Sequence, residues 1–366
     1  MRITIIGCGN GAFAAAADLT ARGHEITLYA NESHRKNFDP IKDNVIYLVN
    51  DKQRCDVKIH RITCNTEEAL HDAELIMPVI PANSHEPIAI EIAPYLKDGD
   101  RIMLVPGSTG GALVFAKILK EKCNARDLRI SEMHTLPYAC RKSGDAEVTI
   151  LLNVRKLFFA AFPSIYNDEM YSIARSLYPA CVLVKDVLET SLNNGNATTH
   201  PAPVILSAAK IEAGIERGDS HYHYEEGITP SVARVIQKID DERKSICAAL
   251  GYHELDIKDR LFEMGYTYDK TSVYDAIRSS TDIFLPLEGP NNLDGRYLVE
   301  DTPCSLVAMA EVAKVEGVST PTMDAVINIA SALKDEDYWH SGRTLEKMGI
   351  DSMNANEIEA YLKTGR

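Results

Sequence analysis

Apolar and polar positions change their spacing several times along this chain, and the first change comes at once. Residues 2–6, Arg-Ile-Thr-Ile-Ile, form a β-branched run. Gly7-Cys8-Gly9-Asn10-Gly11-Ala12 follows, and then an alanine-rich stretch from Phe13 to Arg22 that Gly23 stops. Read in order this is strand, glycine turn and helix. A second β-branched run occupies Glu25–Ala30. Further strand-like runs at Val57–Cys64, Glu74–Pro81 and Arg101–Pro106 are separated by helical patterns at Glu67–Asp72 and Pro87–Leu96. Such alternation predicts an α/β fold that begins with a Rossmann-type, doubly wound parallel sheet. The second half has another rhythm. Thr229 and Pro230 make a cap and a first helical residue, and apolar residues recur at Ile228, Val232, Val235, Ile236, Ile239, Ile246 and Leu250, the stripe of a helix that faces a core. A mainly α-helical C-terminal domain is therefore expected, with 1–188 and 189–366 as the two domains, since 366 residues exceed one ordinary core.

Gly7, Gly9 and Ala12 fill the three small positions of G-x-G-x-x-G/A. Each has a mechanical task in a dinucleotide-binding turn: Gly7 permits the tight turn, Gly9 leaves room for a pyrophosphate, and Ala12 lets the helix lie close to the strand. The phosphates would rest on the helix N-terminus at Asn10 and Gly11, where free N–H groups and the positive dipole end meet an anion. An ordinary β-turn-α unit carries the same pattern, but here it opens the chain and leads into a second strand at the right distance. After that strand come Ala30-Asn31-Glu32-Ser33-His34-Arg35-Lys36. An acidic residue would hold the ribose 2′-hydroxyl of NAD and repel a 2′-phosphate; Asn31 and Arg35 lean toward NADP, Glu32 leans back toward NAD, and a solvated helix start accounts for Arg35 and Lys36 equally well. Two later loops, Pro81–Pro87 and Pro106–Gly111, are expected at carboxyl ends of strands, where ligands of open α/β sheets bind. Pro81 and His85 belong to the first, with His85 read as a loop residue beside the cofactor and not as a catalyst. Gly107, Gly110 and Gly111 in the second suit a backbone that passes close to a ligand.

Charge narrows the partners. Lys and Arg number 39 against 53 Asp and Glu, a formal net charge of −14, which argues against a general nucleic-acid or anionic-membrane binder while leaving local binding of small anions open. The eight cysteines contain no C-x-x-C pair and read as reduced thiols. No secretory leader and no membrane span are recognised, so a soluble, cytoplasmic protein is expected. A homodimer stays open, because periodicity does not show which apolar positions are exposed.

The densest polar stretch is Glu189-Thr-Ser-Leu-Asn-Asn-Gly-Asn196-Ala-Thr-Thr-His200-Pro201. If it is helical up to Pro201, Asn196 and His200 share a face, and Pro201 bends or breaks the helix there. A histidine titrates near neutrality and can act as acid or base, and an asparagine can orient a carbonyl or carboxamide; on spacing alone a structural histidine is equally compatible. His221-x-His223 lacks further ligands at zinc spacing, and no metal is expected.

Four segments in order, Thr135-Leu-Pro-Tyr-Ala-Cys140-Arg141, Asn196-x-x-x-His200-Pro201, Tyr224-Glu-Glu-Gly-Ile-Thr-Pro230 and Arg296-Tyr-Leu-Val-Glu-Asp301-Thr-Pro, resemble the octopine/nopaline (opine) dehydrogenase family from the first strand to about residue 345. The resemblance implies an NAD(P)H-dependent enzyme that condenses a 2-oxo acid with the amino group of an amino acid through an imine. It implies that His200 pairs with Asp301, which would set the imidazole tautomer and raise its pKa for proton transfer. It places substrate contacts at Ser108, Thr135, Cys140 and Arg296, with Ser108 shorter than the polar side chain of some relatives. Arg141 is read either as a carboxylate clamp or as a structural ion pair. Two rival readings compete with this one. A reductase of a simple hydroxy or phospho substrate, of the glycerol-3-phosphate or ketopantoate type, would use a lysine in the inter-domain helix, and none lies between Glu189 and Pro201. A dinucleotide-sensing protein without turnover would explain the glycine turn but not the grouped polar motifs.

Overall fold

A computed structural model describes residues 1–144 and 146–366. By contacts the chain forms two compact units: one holds 1–107, 111–187 and 362–365, the other 108–110, 188–361 and 366. The strands of the first unit are β1 (Arg2–Ile6), β2 (Glu25–Tyr29), β3 (Val45–Asn50), β4 (Gln53–Lys58), β5 (Arg61–Thr63), β6 (Leu75–Pro78), β7 (Arg101–Leu104), β8 (Arg129–Met133), β9 (Tyr138–Lys142), β10 (Glu147–Asn153), β11 (Leu157–Phe162) and β12 (Cys181–Leu183).

The larger sheet runs β12-β11-β8-β7-β6-β1-β2-β5, parallel throughout except where β11 meets β8. A parallel sheet is covered on both faces, so its central strand reads as a continuous apolar run. Ile3, Ile5 and Ile6 of β1 are accordingly buried to within 1%. Above them the helix Asn10–Ala21 buries Ala12 and Phe13 together with Ala14, Ala15, Ala16 and Ala17, whose small side chains allow a close approach to the sheet.

A second sheet, β4-β3-β10-β9, accompanies the first, and the hydrophobic pattern did not announce it. The hairpin β3–β4 turns on Asp51 and Lys52, both left-handed with φ of 49° and 63°, as a two-residue turn requires to match strand twist. The expected strand over Val57–Cys64 is in fact two. Val57 and Lys58 close β4 in the small sheet, while Arg61–Thr63 pairs with β2 in the large one. Ile59, fully buried with its N–H donated to Asn44 O, is where the chain changes sheets. Alternating polarity reports that a segment is extended; it carries no information about which neighbour it pairs with.

The second unit is helical. Its longest helix, Pro230–Ala249, begins where Thr229 Oγ1 accepts the Val232 N–H at 3.4 Å, and it buries Val232, Ile236, Ile239 and Ile246 as the stripe predicts. The same face also carries Asp240 and Arg243, both buried. Arg243 Nε donates to Asp240 Oδ1 at 2.7 Å, Asp240 Oδ2 accepts the Ile257 N–H at 2.8 Å, and the guanidinium of Arg260 lies 3.6 Å from the same carboxylate. Burial first, and the neighbouring Arg243 charge second, push Arg260 down to about 9. One carboxylate thus holds two guanidinium groups away from water. No helix among the described residues is long and apolar enough to cross a membrane.

Asp240→Ala strands both arginines in the interior, where breaking a buried ion pair costs about 3–5 kcal/mol. Urea unfolding followed by far-ultraviolet circular dichroism should show a loss of that size, and an unchanged midpoint would contradict this account of the helical core.

Candidate active site

The glycine turn lies between β1 and the helix Asn10–Ala21. Gly7 has φ of +140°, and a Cβ there would fall on the Val79 carbonyl oxygen, so both conformation and space demand glycine. A Cβ at Gly11 would sit 2.9 Å from Leu136, and Ala12 packs beneath the turn at 0% exposure. Gly9 is different: it is exposed, and a Cβ there would meet nothing within 4 Å. It forms the helix N-cap without any side-chain cap, and the first helical turn contains no acidic residue. An uncapped, uncrowded N-terminus of a twelve-residue helix suits a pyrophosphate, and by this test the residues fit a dinucleotide. Asn10 closes one side of the turn, its Oδ1 accepting the Lys142 N–H of β9 at 3.1 Å.

The other expected residues of this unit scatter around that turn and its strands. Asn31 follows β2, and its Oδ1 accepts from Ser33 Oγ at 2.6 Å and lies 2.8 Å from His34 Nδ1. Arg35 is exposed and paired with Glu32 at 3.1 Å. Pro81 is exposed at the start of the short turn Ala82–Ser84 that follows β6. His85 departs from the loop position expected of it: it is the first residue of the helix His85–Ile92, fully buried, edge-on to Phe115 with ring centroids 5.7 Å apart and pressed under Gly111. Pro87 is tolerated in the first turn of that helix, which draws His85 out of the loop and into the core. Thr135 is half-buried beyond β8. Cys140 is buried in β9, where burial pushes its thiol up to about 11, so it stands as a neutral, weakly polar group. Arg141, next to it, is exposed and donates to the Cys140 carbonyl at 3.0 Å.

The helical unit assembles the remaining residues. Asn194 caps the helix Gly195–Thr199, its side chain accepting the Asn196 N–H at 3.1 Å, and Pro201 opens the next helix, Pro201–Leu206. His200 stands at the junction, its N–H donated to Asn196 O at 3.0 Å. Pro201 therefore breaks the helical stretch instead of bending it, and the break points His200 inward with 4% exposure. Its Nδ1 lies 2.8 Å from Asp301 Oδ2, across 101 positions of sequence. A carboxylate accepts, so Nδ1 carries the hydrogen and Nε2 is left for exchange. Burial raises the Asp301 carboxyl to about 7, with the Arg296 guanidinium opposing. Arg296 begins the short helix Arg296–Val299, is exposed, and pairs with Glu300 at 3.1 Å. Ser108 has a left-handed φ of 57° and is buried. Its segment is tied to the same framework: Gly110 N donates to Ser191 Oγ at 2.8 Å, Arg343 Nη1 to Thr109 O at 2.6 Å, and Asn194 Nδ2 to both Thr109 and Ser305 at 3.4 and 3.0 Å.

Three aromatic neighbours of His200 had no role assigned from sequence. Tyr297 stacks on the imidazole with centroids 3.7 Å apart and planes at 11°. Tyr224 Oη is 3.0 Å from Nε2. His223, fully buried, donates from Nε2 to Thr199 O at 3.0 Å and turns its edge to His200; burial and the nearby His200 push its pKa well down, so it is a neutral wedge. His221, two residues earlier, faces Glu226 at 3.6 Å instead of sharing a centre with His223. Tyr224 and Tyr297 do lie within the segments that carry the family resemblance, but Tyr224 sits in an irregular π-type turn, His223–Gly227, and Tyr297 in the four-residue helix Arg296–Val299, both too short or irregular for a period to give a side chain's direction.

Comparison with known proteins is consistent along the whole chain. The family described as NAD/NADP octopine/nopaline dehydrogenase, alpha-helical domain, matches residues 183–334, and the NAD-dependent glycerol-3-phosphate dehydrogenase N-terminus matches 2–130. An opine dehydrogenase of Arthrobacter sp. (strain 1C) is 33% identical over 98% of both chains. A vitopine synthase of Allorhizobium ampelinum is 28% identical, again over 98% of each. Among solved structures, octopine dehydrogenase with NADH and L-arginine superposes with a TM-score of 0.79 at 22% identity, covering 100% of this chain and 98% of that one. Yersinopine dehydrogenase with NADP+ gives 0.72 at 15% identity, over 99% and 98%.

Gly9→Ala is expected to leave the melting temperature unchanged, because its methyl meets nothing, while weakening dinucleotide binding about tenfold or more through the lost approach to the helix N-terminus. Titration of NAD(P)H fluorescence measures this, and undiminished affinity would place the phosphates elsewhere.

Proposed function

From the premise that this chain belongs to the opine dehydrogenase family, we propose that His200 and Asp301 are the pair that moves protons in its reaction. The protein is an NAD(P)-dependent oxidoreductase acting on CH–NH bonds: it joins a 2-oxo acid to the amino group of an amino acid by reducing the imine between them, and runs the reverse oxidation. The observation that carries the assignment of the pair is the 2.8 Å bond between two buried groups remote in sequence. Residues 1–188 serve as the dinucleotide domain, with Gly7, Gly9, Asn10, Gly11 and Ala12 at the phosphates, and residues 189–366 as the catalytic domain.

Condensation first needs a proton on the carbonyl oxygen as the amine attacks, and a second when the carbinolamine loses water. His200 gives the first from Nε2, takes back at Nε2 the proton that the attacking amine nitrogen loses, and gives that one to the departing hydroxyl, while Asp301 holds Nδ1–H and stabilises the charged ring. The bound dinucleotide supplies the hydride that reduces the imine. Arg296, cationic and exposed beside the pair, holds a substrate carboxylate, with Ser108 and Asn196 as further polar contacts. Thr135, Cys140 and Arg141 are assigned to the substrates by the family motif they occupy. The oxo acid is of the pyruvate type. For the cofactor we favour NADP: Arg35 and His34 follow Asn31 where an acidic residue would select NAD, and Glu32 is already paired with Arg35.

His200→Ala should lower turnover about a hundredfold or more with cofactor affinity unchanged, and wild-type turnover in that variant would remove His200 from the reaction. Because the raised carboxyl keeps the pair protonated below neutrality, kcat/KM for reduction is expected to fall as pH rises through about 7 and that for oxidation to rise over the same window. Asp301→Asn should move that titration to lower pH, because the charged ring loses its counter-charge; a profile flat across this range in the native enzyme would refute the assignment. In separate assays with NADPH and NADH, Arg35→Ala should reduce the NADPH preference by about tenfold, and an unaltered ratio would return the choice to NAD.

A further inference from the structure

We propose that Tyr224 is the third member of the proton path, carrying the proton between His200 and the substrate. The inference rests on the assignment of His200 as acid and base, and it concerns the only ring nitrogen left to do that work. Nδ1 is committed to Asp301, so every proton exchanged with substrate crosses Nε2, and Nε2 faces the Tyr224 hydroxyl at 3.0 Å. Both residues are buried, at 4% and 5% exposure.

The tyrosine ring is held in place. It stacks on Phe284 with centroids 4.3 Å apart and planes at 15°, Phe284 stacks in turn on Tyr266 at 5.2 Å, and His223 meets the Tyr224 ring edge to face at 4.8 Å. A clamped ring cannot swing its oxygen away from Nε2; only the hydroxyl hydrogen rotates. With His200 neutral, Nε2 is an acceptor and the hydroxyl donates to it. With His200 protonated, Nε2–H donates to Oη, and the hydroxyl hydrogen turns outward. In the transfer, the Nε2–H bond breaks and its electron pair returns to the ring, a new O–H bond forms at Oη, the original Tyr224 O–H breaks, and its proton bonds to the substrate oxygen or nitrogen. Tyr224 ends as it began, one proton has moved from imidazolium to substrate, and the reverse direction retraces the same bonds.

A merely structural tyrosine would not be missed for its oxygen, so Tyr224→Phe tests the relay directly: the ring and its stack on Phe284 stay and only the hydroxyl goes. Turnover in reductive condensation is expected to fall about tenfold to a hundredfold, with the melting temperature, NAD(P)H affinity and KM for the oxo acid unchanged. Rates measured in mixtures of H2O and D2O should be curved in the native enzyme, where two protons move together, and linear in the variant. Wild-type turnover with the native curvature would overturn the relay. His200→Ala in the same assay separates the two claims: an inactive His200→Ala beside a fully active Tyr224→Phe sinks the relay alone, whereas full activity in both sinks the His200 assignment as well.

Discussion

The hydrogen bond from His200 to Asp301 is the constraint around which the helical unit is organised. An imidazole and a carboxylate removed from water each lose several kcal/mol of hydration, and their mutual attraction offsets this only when the remaining polar atoms are also satisfied. The surroundings meet that condition one atom at a time. Nδ1 faces Asp301, Nε2 faces Tyr224, and the ring is stacked on Tyr297 and bounded by His223. The backbone is fixed by the same means. Asn194 caps the helix that leads into His200 and reaches Ser305 just beyond Asp301, so one side chain ties together the two segments that supply the pair.

The group at Arg243, Asp240 and Arg260 obeys the same electrostatic rule but serves another end. Arginine does not exchange protons near neutrality, and Asp240 is saturated by Arg243 and the Ile257 N–H. Such a cluster can only hold helices in register. His200 differs in chemistry more than in burial: its ring has a second nitrogen that can gain and lose a proton while the first stays bonded, and that nitrogen faces a hydroxyl. Ionisable groups buried to the same degree thus differ according to what their remaining atoms can still exchange.

The glycine turn is shaped without side chains. Its features are a carbonyl that leaves no room at Gly7, open space at Gly9, and the unsatisfied N–H groups of a helix start. All arise within a few consecutive residues. By contrast, His85 lies in a loop-like sequence yet ends in the core, because a helix begins at that residue and turns its ring toward Phe115. Local pattern described the backbone there and left the side chain's destination open.

By itself the sequence determined what depends on near neighbours: the opening strand, glycine turn and helix, the α/β alternation, the capped helix after Thr229, and, through the order of four polar segments, the family and its chemistry. It did not contain the second sheet, the change of sheet at Ile59, the burial of His85, or the partners of Nε2. Those were decided by tertiary structure, and for one reason. Periodicity records which way a side chain points from its own strand or helix, but a contact is made by two elements, and which elements meet is set by pairing and burial over the entire fold.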